Sequence, residues 1–106
     1  MLIVTTPEIA GRRTTEYLGI VSGDAIVGAN MFRDLFARVR DIVGGRAGGY
    51  EKALKGAKEM AIADMVEEAR ALGADAILAV DLDYETVGDS MLMVSASGTA
   101  VRLEQG

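Results

Sequence analysis

The stretch Gly73-Ala-Asp-Ala-Ile-Leu-Ala-Val-Asp-Leu-Asp-Tyr-Glu-Thr-Val-Gly-Asp-Ser-Met-Leu-Met-Val-Ser-Ala-Ser-Gly-Thr-Ala-Val-Arg-Leu103 decides the fold. Residues Ala74 to Thr86 read as one strand and Met91 to Leu103 as another, weakened at Gly98, because β-branched and apolar residues dominate both. Gly88-Asp89-Ser90 is the turn, and so short a connection requires an antiparallel hairpin. Working toward the N-terminus, Leu54, Ala57, Ala61, Met65, Ala69 and Leu72 recur at helical spacing, widened by Ile62 and Val66. They predict a helix from Tyr50 to Leu72, closed by Gly73. Met31, Phe32, Leu35, Phe36, Val39, Ile42 and Val43 predict an earlier helix over Met31 to Val43, capped by Asn30. Gly44-Gly-Arg-Ala-Gly-Gly49 is too glycine-rich for a helix interior and is expected to link the two helices. Thr14 to Val21 predicts a strand, Ser22-Gly23 a bulge or bend, and Ala25 to Ala29 resumed extended structure. Glu8 to Arg13 reads as a turn, after a short strand from Leu2 to Thr6 that Pro7 stops.

The resulting order is β-β-α-α-β-β, an α+β, two-layer subunit with helices packed on a mainly antiparallel sheet. At 106 residues, half of them apolar and a quarter charged, the chain fits one domain spanning residues 1–106. It holds no cysteine and no histidine, which removes disulfides, thiolate catalysis, zinc ribbons and imidazole general bases together. A net charge of -5 argues against nucleic acid as a partner. No segment approaches the ~20 apolar residues of a membrane span, and the N-terminus lacks the pattern of a signal peptide. A cytoplasmic location and no membrane partner are therefore expected.

Residues 28 to 54 (GANMFRDLFARVRDIVGGRAGGYEKAL), 69 to 88 (ARALGADAILAVDLDYETVG) and 90 to 101 (SMLMVSASGTAV) resemble the YbjQ family, as do the opening TTP and EYLGIVSGDAI. These are small prokaryotic proteins of uncharacterised function, labelled "putative heavy-metal-binding". The resemblance spans almost the whole chain, although the hairpin turn before Ser90 is shorter than the family pattern. It implies a small α+β subunit assembling as a ring-like homopentamer, no established enzymatic activity, and a metal or small-ligand role.

Four groups of residues could carry chemistry. Asp81, Asp83 and Glu85 alternate along a strand and so share one face, which could hold a hard cation such as calcium, magnesium or manganese. The competing reading is a solvated face neutralised by a neighbouring base, with Arg102 nearest by topology. Soft heavy metals prefer thiolate and imidazole, and neither is present. Arg46, Gly48 and Gly49 could cradle an anion at the start of the second helix, where backbone N–H groups are free. Against this, the Lys-Ser/Thr pair of a P-loop is missing, and a tight interhelical turn explains the glycines. Methionines 60, 65, 91 and 93 are expected in the core or an interface rather than on copper. Ser95, Ser97 and Thr99 alternate on the last strand with no base to activate them.

The chain is therefore expected to be a non-enzymatic, oligomeric binding or structural protein. The alternative is a small enzyme with a carboxylate and arginine site formed between subunits. The strands Ala76–Val80 and Met91–Val94 are apolar on both faces, so one face is expected to leave Leu78, Val80 and Leu82 or their alternates uncovered. Such a patch marks an interface.

Overall fold

Four strands form one mixed sheet in the order β1-β3-β4-β2, with a single described helix laid across one face. The computed structural model describes residues 1–27, 48–88 and 91–105. Its elements are β1 (Leu2–Ile3), β2 (Thr14–Val27), α1 (Gly48–Ala71), β3 (Ala76–Val87) and β4 (Met91–Leu103). β4 is antiparallel to both β2 and β3, as a hairpin requires, while β1 runs parallel to β3. The expected helix over Met31 to Val43, its Asn30 cap, Arg46 and the tip of the hairpin at residues 89–90 lie outside the described residues.

The α1 stripe folds as its spacing dictates. Ala57, Ala61, Met65 and Ala69 are buried, and Leu54, Ile62 and Val66 pack beside them against Val21, Ala25, Val27, Ile77, Leu92, Val94, Ala96 and Ala100. Three of these four buried positions are alanine, which lets the helix backbone approach the sheet closely. At the C-terminal end Gly73 takes a left-handed φ of 79°. Its N–H donates to the Arg70 carbonyl at 2.9 Å, and Ala74 N–H donates to the Ala69 carbonyl at 3.1 Å. That pairing caps the last orphan carbonyls.

Several expectations need correction. α1 starts at Gly48, so Gly48 and Gly49 belong to the helix rather than to a loop. The first-turn N–H groups have no intrahelical partner in any helix, so glycine is far less costly there than mid-helix. Ser22-Gly23 is not a bend: Ser22 faces Ser97 and Gly23 faces Ala96 in unbroken register. The irregularities of β2 fall earlier, between Thr14 and Glu16 and between Tyr17 and Gly19. Gly23 is glycine because α1 lies on it. A Cβ there would meet the Ala61 carbonyl oxygen, the Met65 backbone nitrogen at 2.5 Å and Asp64 Cβ at 2.9 Å. β4 continues through Gly98, which pairs with Val21 of β2 but has no partner on β3, because the β3 irregularity between Leu78 and Asp81 lies opposite it. A Cβ on Gly98 would lie 2.6 Å from Ile77 Cγ2, so the glycine makes room for β3.

β3 itself carries a bulge between Leu78 and Asp81, with Ala79 at a left-handed φ of 53°. The N-terminal segment follows it. Val4 N–H donates to the Ile77 carbonyl at 3.0 Å, Ala79 N–H to the Thr6 carbonyl at 2.9 Å, and Val80 N–H to the Val4 carbonyl at 3.0 Å. This arm puts Val4 and Ile9 over a second small core of Ala76, Leu78, Val101 and Leu103. Leu78, one of the residues that alternation could have left in water, is therefore buried on the face away from α1. Val80 and Leu82 pack half-buried on the α1 side, because the bulge resets the alternation. Met65 is fully buried and Met91 and Met93 are half-buried, but Met60 is exposed and so lies outside the core of this chain.

Candidate functional site

Register assembles a polar grid on the face of the sheet opposite α1. Residues directly paired across neighbouring strands share a face, and alternate residues along a strand do too. Ala96, Val94 and Leu92 of β4 point into the core beneath α1, so Ser97, Ser95 and Met93 point away from it. Pairing then gives three rows: Ser22–Ser97–Asp81, Asp24–Ser95–Asp83 and Ile26–Met93–Glu85. Asp81, Asp83 and Glu85 thus do line one face, spaced by the roughly 6.6 Å strand repeat.

Two features of this face were not visible in the sequence. Asp24 joins the polar rows, and Ser95 Oγ donates to Asp24 Oδ1 at 2.8 Å. Only the β2–β4 register could have revealed it, and the misread Ser22-Gly23 bend hid that register. The second is the apolar flank, where Ile20 is 81% and Ile26 61% exposed.

The carboxyl of Asp83 is held above its ordinary value. The largest cause is its side-chain hydrogen bond with Asp81, then the repulsion of the Asp81 charge, slight desolvation and the repulsion of Glu85. The two neighbouring carboxylates therefore disfavour joint ionisation. Arg102 does not relieve this repulsion. It pairs with Glu16 at 3.7 Å, its alternation in β4 sets it on the α1 side, and its guanidinium reaches the Gly73 cap. The residues facing the ladder from β4 are Ser97, Ser95 and Met93, and none carries a positive charge.

This predicts a pH effect of definite sign. A carboxyl with a raised pKa in the folded state contributes its stability below its unfolded value, and that contribution is lost as pH rises through the folded value. Asp83→Asn removes the repulsion, so at pH 7 its melting temperature should match or exceed that of the parent. The gain should vanish near roughly pH 3, where carboxylates are protonated. Thermal melts of both proteins across this range check it, and a variant less stable only at pH 7 would contradict it.

The donors on this face are carboxylate and hydroxyl oxygens, with Met93 the one sulfur in the three rows. A soft heavy metal does not fit such a set. Among the described residues, no group of three or more carboxylates converges on a point where they could hold one ion. What the geometry offers is three exposed carboxylates in a row along β3, of which Asp81 and Asp83 interact most strongly. Of the expected anion site, Gly48 and Gly49 open α1 and Arg46 lies outside the described residues. No described helix is long and apolar enough to cross a membrane.

A family described as "putative heavy-metal-binding", YbjQ, matches residues 1–104. The chain belongs to the YbjQ family. Its fold is similar to the crystal structure of a protein of unknown function from Pediococcus pentosaceus, a member of the same family. The TM-score is 0.61 with 18% identity, over 98% of each chain. At that identity the likeness concerns the fold. The YbjQ description of a heavy metal finds no soft ligand set on the described face of this member.

Proposed function

We propose that this YbjQ protein is a non-catalytic binding subunit that works as a homo-oligomer and takes up a hard, largely hydrated divalent cation on the open sheet face. The observation that carries the reading is the row of exposed carboxylates Asp81, Asp83 and Glu85 on one face of β3, faced from β4 by Ser97, Ser95 and Met93 and by no positive charge. A cation would relieve the mutual repulsion that raises the Asp83 carboxyl. A row rather than a converging triad suits magnesium or manganese, which keep several waters and bind through one or two carboxylates. Self-association is supported by the exposed Ile20 and Ile26 beside the polar rows, and the family resemblance implies a ring of five. A ring would multiply the local negative charge. The non-catalytic reading is supported by the cross-strand neighbours of Ser95 and Ser97, which are Asp24, Asp83, Ser22 and Asp81, with no imidazole or amine base among them.

Calorimetric titration of the metal-free protein with magnesium, manganese and calcium chlorides at physiological salt tests this. Saturable heat is expected, and Asp83→Asn should abolish most of it. Heat without saturation would mean a screened, solvated face and would overturn the reading. Tight zinc or copper binding through the same carboxylates would overturn the ligand argument.

A further inference from the structure

Past the N-terminal arm, β3 is an edge strand. β1 pairs with Ala76 and Ile77, and the last bond on that side runs from Val80 N–H to the Val4 carbonyl. From Asp81 to Val87 no described residue pairs with the outer side of the strand. Since Val80 directs its N–H outward, alternation directs the N–H and C=O groups of Leu82, Tyr84 and Thr86 outward too. Such a row is a ready template for another extended backbone.

The side chains of this edge specify that backbone further. Asp81, Asp83 and Glu85 stand on the open face, with no base across from them on β4. Leu82 and Tyr84 stand on the other face, half-buried and 48% exposed respectively. We infer that the Asp81–Val87 edge of β3 is a docking site for an extended segment of a partner protein, added as a fifth strand, with lysine or arginine on one face and apolar residues on the other. In this mode the main-chain hydrogen bonds supply affinity and the alternating side chains supply selection. The described strands of a second copy fit poorly. Antiparallel pairing of two β3 edges about Tyr84 would set Asp83 against Glu85 of the other copy, and β2 offers Glu16 and Asp24 but no lysine or arginine. The inference uses the carboxylates of the cation reading yet needs no metal.

A blocked seven-residue peptide alternating valine and lysine is a direct probe, titrated in EDTA at about 0.15 M salt. Two controls carry the same charge: the sequence with all lysines together, and the alternating peptide fully N-methylated. The alternating peptide should bind at least ~10-fold tighter than either control. In NMR spectra the amides of Leu82, Tyr84 and Thr86 should shift and gain protection from exchange. Asp81→Asn, Asp83→Asn and Glu85→Gln should each weaken binding about two- to five-fold. Absent binding, equal binding of either control, or protection that appears elsewhere would overturn the inference. Because EDTA is present, its failure is separate from failure of the cation titration.

Discussion

Gly23→Ala is expected to cost about 3 kcal/mol and lower the melting temperature by at least ~10 °C. One added methyl group would overlap the Ala61 carbonyl oxygen and approach the Met65 nitrogen at 2.5 Å. Both are backbone atoms of α1, so no rotamer change relieves the contact, and the helix must lift from the sheet. Lifting it loosens Ala57, Ala61, Met65 and Ala69 together, since all four are buried in the same contact layer. It would also disturb the bond from Asp24 N–H to Asp64 Oδ2, 3.4 Å long, at the edge of that contact. Gly56→Ala is the control. It lies within α1 with nothing within 4 Å of an added Cβ, so it should stabilise the protein by ~0.4–1 kcal/mol through helix propensity and unfolded-state entropy. Thermal and denaturant melts of the two variants should shift in opposite directions. A loss below 0.5 kcal/mol for Gly23→Ala would mean that α1 does not sit on Gly23.

The contrast between these glycines shows what the sequence could and could not reveal. The periodicity of Leu54 to Ala69 placed a helix and its buried face, because helical spacing is a local property. The β3–β4 hairpin was equally legible, from two apolar runs around a glycine turn. Ser22-Gly23 was misread because glycine in a strand signals either a bulge or a close approach, and the pattern alone does not separate them. Contact with a helix some 40 residues later decides between them. The acid ladder was legible as a face, since alternation is local. Its neighbours were not: Asp24 enters through β2–β4 register, and Arg102 is drawn away to Glu16. The Leu78–Asp81 bulge has no sequence signature either, because Ala79 is an uncommon residue at positive φ.

That bulge bears on the second large effect. Simple alternation along β3, with helices covering one face, leaves Leu78, Val80 and Leu82 or their alternates in water. There, truncation to alanine would change stability by no more than ~0.5 kcal/mol. In the structure Leu78 is 3% exposed, closed in by Val4 and Ile9 from the N-terminal arm and by Ala76, Val101 and Leu103 from the sheet. Leu78→Ala should therefore cost about 2–5 kcal/mol, the range for a buried leucine that leaves a cavity. Ile20→Ala, on the same face but 81% exposed, should stay within ~0.5 kcal/mol in conditions where the protein is monomeric. The arm is held to β3 by the β1–β3 pairing, by further backbone hydrogen bonds from the Val4, Ala79 and Val80 N–H groups, and by its two apolar side chains. Removing Val4 and Leu78 together should thus cost less than the sum of the separate losses, by ~0.5 kcal/mol or more, because the two side chains share one contact. Denaturant melts of Leu78→Ala, Val4→Ala and the double variant measure this coupling. Strict additivity would mean that the arm does not cover Leu78, and a near-zero effect of Leu78→Ala would restore the uncovered face that simple alternation predicts.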